Sequence, residues 1–97
     1  MINYRPEIRK EEVFKLQSDL VSALRKIISE EEVEENNQKA CKVLSRLYRK
    51  DDLKICQKHV NQYVVIFKRS KGMNMDQIVN ELLWSENGLL NTYYTVV

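Results

Sequence analysis

The chain has 97 residues, enough for one domain and one core, with 43% hydrophobic and 31% charged residues and a net charge of +2. Two glycines and one proline are too few for the turns of an all-β domain, so a mainly α fold is expected. No apolar run is long enough to cross a bilayer, which argues against a membrane partner. The N-terminal MINYRPEIRK lacks the apolar centre of a signal peptide, and Cys41 and Cys56 are too few for a disulfide framework; a reducing cytoplasm is expected.

Pro6 precedes or opens the first helix. From Glu11 onward, Val13, Leu16, Leu20, Leu24 and Ile27 recur in steps of three and four, with Phe14, Val21 and Ile28 alongside, and this spacing predicts an amphipathic helix. Val13, Leu20 and Ile27 repeat every seven residues, as do Phe14, Val21 and Ile28, so a seam for a homodimer is one reading of this helix.

Ser29 with Glu32 has the spacing of a capping box, and Glu30, Glu31 and Glu32 suit the positive end of a helix; a second helix is expected to restart here. Ala40, Val43, Leu44 and Leu47 form its apolar side. Lys39, Lys42, Arg46 and Arg49 step by three, four and three, and so line one face suited to tracking a phosphate backbone.

Asp51 or Asp52 caps a third helix whose apolar positions are Leu53, Cys56, Val60, Tyr63, Val64 and Phe67. The run from Tyr63 to Phe67 is also strand-like in composition, but continuity from Asp52 to a stop at Gly72 favours helix. The order of charge along the chain is uneven. Residues 39–71 hold ten Lys or Arg against Asp51 and Asp52, a net +8, whereas residues 1–38 and 72–97 each carry −3. A basic middle between acidic ends is the footprint of a polyanion binder.

After Gly72, Asn74 and Gln77 form another capping-box pattern, with Ile78, Val79, Leu82 and Leu83 at helical spacing. Ser85 offers a further N-cap, and Leu89 and Tyr93 lie four apart beyond it. The stretch from Lys71 to Tyr94 thus resembles the helix-turn-helix of sigma-factor region 4 and related small bacterial regulators, over about a quarter of the chain. What the resemblance implies is a turn at Leu83 and a second helix whose outward face, carrying Glu86, Asn87, Leu90, Asn91 and Tyr94, enters the major groove of double-stranded DNA. Asn87 and Asn91 would then pair with adenine edges and Glu86 with cytosine. Lys68, Arg69 and Lys71 would sit on phosphates, since the second helix itself has no Lys or Arg. Gly88 would fall in its first turn and weaken it.

Cys56 and His59 lie three apart, with Cys41 elsewhere, but three ligands do not make a structural zinc site, so neither metal nor cofactor is expected. No acid or nucleophile stands in a catalytic pattern, which points away from an enzyme. The expected architecture is a small bundle of four to five helices with a C-terminal helix-turn-helix-like hairpin and an extended tail. It forms one domain over residues 1–97, with a helical hairpin over 10–50 and the helix-turn-helix-like region over 52–94. The expected function is that of a small DNA-binding transcriptional regulator, with RNA as a variant ligand. The alternative is a helical adaptor or inhibitor that binds another protein.

Overall fold

Arg9 has extended backbone and Lys10 begins helix α1 (Lys10–Ile28), whose buried side chains Val13, Leu20, Val21, Ala23, Leu24 and Ile27 follow the predicted stripe. The structure, a computed structural model, describes residues 5–49, 52–69, 74–86 and 88–97. It is mainly helical, with α2 (Val33–Tyr48), α3 (Leu53–Arg69), α4 (Met75–Trp84) and a five-residue α5 (Leu89–Tyr93) after α1. Two short strands, β1 (Glu7–Ile8) and β2 (Thr95–Val96), bring the two ends of the chain together. They pair in parallel, Glu7 with Thr95 and Ile8 with Val96. The extended tail is therefore present, and it has a partner that periodicity did not reveal. Pro6 precedes the first helix and supplies its carbonyl to the Thr95 amide.

Ser29 does not open α2, contrary to the capping-box expectation. It ends α1, its amide bonded to the Arg25 carbonyl, while the Glu30 amide bonds to that of Ile27. The chain then passes through Glu30 and Glu32 in left-handed conformation, and α2 starts at Val33. Asn36, buried one turn into α2, turns its amide back to the carbonyls of Glu31 and Glu32 at 3.2 and 2.9 Å. That buried amide braces the turn from inside the helix, where a serine cap had been expected.

Asp52 caps α3, its Oδ1 accepting from the amides of Lys54 and Ile55 at 3.1 and 3.2 Å. The run from Tyr63 to Phe67 is helix, not strand. Asn74 caps α4 by accepting from the Asp76 amide at 3.0 Å. The proposed stop at Gly72 lies outside the described residues.

One apolar cluster joins the elements. Leu20 and Leu24 of α1, Leu44 and Leu47 of α2, Val60 of α3, Val79 and Leu83 of α4, and Leu90 of α5 all belong to it, with Ile8 at the strand pair. The first heptad set, Val13, Leu20 and Ile27, is core. In the second set Val21 is buried within the chain itself, leaving Phe14 exposed against Trp84, ring centres 5.8 Å apart. Trp84 also donates its indole N–H to Gln17 at 3.2 Å, holding α4 to α1. Among the described residues no helix is long and apolar enough to cross a membrane.

Candidate functional site

The C-terminal pair of helices buries two of the five side chains, Leu90 and Tyr94, that the helix-turn-helix resemblance places on its outward face. Leu83 lies inside α4, wholly buried, and is not among the left-handed residues, so the turn does not fall there. It falls later, beyond Trp84, the last residue of α4, and before Leu89, the first of α5. Ser85 is the C-cap of α4, its amide bonded to the Glu81 carbonyl, and is not the N-cap of α5. Gly88 takes that position, accepting from the Thr92 amide at 3.1 Å and from its hydroxyl at 2.9 Å.

Two residues assigned to the reading face are core residues. Leu90 is 1% exposed and Tyr94 3% exposed. Moving the helix start from Ser85 to Gly88 turns this face inward, against α2. Tyr94 donates its hydroxyl to the Arg46 carbonyl, and its ring lies 5.7 Å from the Arg46 guanidinium carbon. Burial pushes the Tyr94 phenol up, although Arg46 and Arg49 pull the other way. Glu86 and Asn91 remain exposed, whereas Asn87 lies outside the described residues. The Asn91 amide donates to the Ser85 carbonyl at 2.8 Å, so it closes the turn. The Asn91 carbonyl accepts from the Arg5 guanidinium at 2.6 Å. With five residues, α5 spans about 7 Å.

The basic residues fare differently. Lys39, Lys42, Arg46 and Arg49 are all exposed on α2, as their spacing requires. Arg46 makes a two-pronged contact with Glu12 of α1, at 3.1 and 2.8 Å, and this hydrogen-bonded pairing raises its pKa further. Arg49 ends α2 in left-handed conformation. Lys68 and Arg69 are exposed in the last turn of α3; Lys71 lies outside the described residues.

The least expected surface is α3 itself. Of its 17 residues only Cys56 and Val60 are buried. Leu53, expected in the core, is 62% exposed, and Ile55, Val65 and Ile66 are 42%, 45% and 47% exposed. Four large aliphatic side chains thus face solvent on a helix that also exposes Lys54, Lys58, Lys68 and Arg69 and contains no acid. A signal was present in the sequence: five consecutive apolar residues, Tyr63 to Phe67, span more than a full turn, and one buried stripe cannot hold them all.

The inner side of α3 meets α2 through a polar contact. Gln57 donates to the side-chain oxygens of Asn37 and Asn61, both at 3.0 Å, and accepts from the Cys41 thiol at 3.4 Å. Tyr48 packs on His59 with ring centres 5.1 Å apart, and its hydroxyl lies 3.2 Å from that of Tyr63. Nδ1 of His59 is buried with no hydrogen-bond partner. Cys41 and Cys56 are buried and neither is in a disulfide, and burial followed by the neighbouring Cys56 pushes the Cys41 thiol up. Among the described residues no group of three or more His, Cys, Asp or Glu could hold a metal ion.

No known family model, curated protein or solved structure matches this chain.

Proposed function

We propose that this chain is a small helical adaptor or inhibitor without catalytic activity, which binds another protein through the outward side of α3. The observation that carries the reading is the exposure of Leu53, Ile55, Val65 and Ile66 on a helix that buries only Cys56 and Val60. Large aliphatic side chains grouped on one solvent-facing helix, among polar residues, are the usual composition of a protein contact. Lys54, Lys58, Lys68 and Arg69 surround them and favour an acidic partner. The protein works in the cytoplasm in this reading, where Cys41 and Cys56 remain thiols.

The test is affinity capture of a partner by the wild-type chain and by the double variant Val65→Glu, Ile66→Glu. Both positions are nearly half exposed, so the variant is expected to fold. The expected result is one stoichiometric protein with the wild type, no nucleic acid, and loss of that protein with the variant. Equal capture by both chains would remove α3 from the interface.

A second reading keeps double-stranded DNA as the ligand and the role of a transcriptional regulator. The exposed Lys39 and Lys42 on α2 favour it. In this form the contact is with phosphates, because Leu90 and Tyr94 are withdrawn into the core and Asn91 is engaged in the turn. Labelled duplex titrated across a salt series decides it. A log–log slope of several units, reduced by Lys39→Gln and Lys42→Gln, supports DNA; no binding at low salt removes it.

A further inference from the structure

Between α3 and α4 lies a cavity of about 80 Å³, and its described lining is wholly apolar. Leu20 of α1 forms part of its wall, with Tyr63, Ile66 and Phe67 from α3 and Ile78 and Leu82 from α4. The volume is far below the roughly 300 Å³ at which small-molecule pockets begin, and suits one aliphatic side chain. A lining without polar groups offers water no hydrogen bonds, so an aliphatic group is the better occupant.

Ile66 joins the cavity to the exposed side of α3, since it lines the one and is 47% exposed on the other. Along that side Ile55, Lys58, Gln62, Val65, Ile66 and Arg69 follow one another at steps of three and four, wherever adjacent Val65 and Ile66 are taken as alternates. This is a straight stripe of the kind a second helix can lie along with its own apolar positions at matching spacing. The charges flank it. Lys54 and Lys58 stand towards one end and Lys68 and Arg69 towards the other, about ten residues or 15 Å apart along the helix axis. On α4, Asp76 is engaged by Arg25 at 2.8 Å, which leaves Glu81 as the acid nearest Leu82 in the sequence.

We infer that the partner contacts α3 with an acidic amphipathic helix, one aliphatic side chain of which enters the cavity between α3 and α4. This rests on the reading of α3 as the contact helix. Carboxylates of the partner meet Lys54 and Lys58 at one end and Lys68 and Arg69 at the other, while the lysine stems cover apolar surface between them. The register is set by the inserted side chain, since the cavity encloses an aliphatic group between side chains of α1, α3 and α4.

The probe is a fluorescein-labelled synthetic helix of about 18 residues, with Leu at steps of three and four and Glu at most other positions. Its control has Lys in place of Glu. Fluorescence anisotropy should report saturable binding of the Glu peptide by the full chain, at least about tenfold tighter than the Lys peptide. Raising salt from about 50 to 500 mM should weaken it severalfold. Ile78→Phe, which fills the cavity, and Ile66→Glu, at its rim, should each weaken binding about tenfold while the circular dichroism spectrum is unchanged.

Equal binding of the Glu and Lys peptides would overturn the acidic specificity, and undiminished binding to both variants would overturn the seat. Salt-dependent self-association of the chain, abolished by Ile66→Glu and with no peptide binding, would assign the surface to a second copy and overturn the inference. Capture by phosphatidylglycerol vesicles with no peptide binding would overturn it in favour of a membrane surface. If the peptide fails while Val65→Glu, Ile66→Glu still loses a captured protein, the contact role of α3 stands and the acidic helix alone falls.

Discussion

The hydroxyl of Tyr94 donates to the main-chain carbonyl of Arg46 across 48 residues of sequence. That carbonyl lies in the last turn of α2, where helical carbonyls lack a partner within the helix. It also accepts from the Arg49 amide at 3.3 Å. The end of α2 is thus capped in part by a side chain from the chain's tail, and the same arginine holds Glu12 of α1 with its guanidinium.

Replacing Tyr94 with Phe keeps the ring in the core and removes this one hydrogen bond. The expected loss of stability is about 1 kcal/mol, read as a lower urea midpoint at unchanged slope. Glu12→Gln should cost less, under about 1 kcal/mol, because both partners of that ion pair are about half exposed, 42% and 49%. A larger loss for Glu12→Gln than for Tyr94→Phe would reverse this ranking of the two contacts.

Stability should fall in alkali. Burial, and then its contact with Tyr63, pushes the Tyr48 phenol well above its ordinary value of 10.0, and burial raises Tyr94 too. Both groups are held neutral in the folded chain, while in the unfolded chain they ionise near pH 10. Their contribution is therefore complete below about pH 10 and declines as the pH rises above it. Thermal melts between about pH 9 and 11.5 should show this decline, and Tyr48→Phe should make it shallower. A melting temperature that does not change across that window would remove the effect.

Gly88→Ala should destabilise the C-terminal hairpin. The backbone angle is no obstacle, since φ is −74°. Space is: an added Cβ would stand 2.7 Å from the Leu83 carbonyl oxygen and 2.9 Å from that of Leu82. Both are backbone atoms of α4, and easing the clash requires moving the helix end. The expected cost is about 1–3 kcal/mol by chemical denaturation. A neutral result would mean that α4 and α5 separate easily at this turn.

Asn91→Ala should act on the fold and not on ligand choice. Its amide holds the Ser85 carbonyl, so removal is expected to cost about 1 kcal/mol. Any preference among DNA duplexes should be the same in variant and wild type. A change in discrimination at unchanged stability would instead return Asn91 to the reading role that the helix-turn-helix resemblance gives it.

Legibility along the sequence followed element length. The stripes of α1, α2 and α3 extend over several turns, and Asp52 and Asn74 cap where their spacing says they should. In α5 the pattern has no such length. Leu89 with Tyr93 and Leu90 with Tyr94 are both spaced by four, so spacing cannot say which pair faces the core; only the position of the turn decides, and that depends on the close fit of Gly88 against α4. The two-residue strands carry no periodicity at all. The surface of α3 was partly legible, in the excess of apolar residues from Tyr63 to Phe67. Its cavity was not, because α3 and α4 meet there through side chains from both helices and from Leu20 of α1.

The pairing of β1 with β2 sets an order on how the molecule is completed during synthesis. Ile8 is made 88 residues before its ladder partner Val96, so the Ile8 carbonyl cannot meet the Val97 amide until all the chain between them has left the ribosome. The hairpin of α1 and α2 can close early through contacts near in sequence, whereas the clasp at the ends waits for the tail. A chain stalled short of Thr95 would therefore hold its helices while Ile8, otherwise 2% exposed, stayed open to solvent and to other nascent chains.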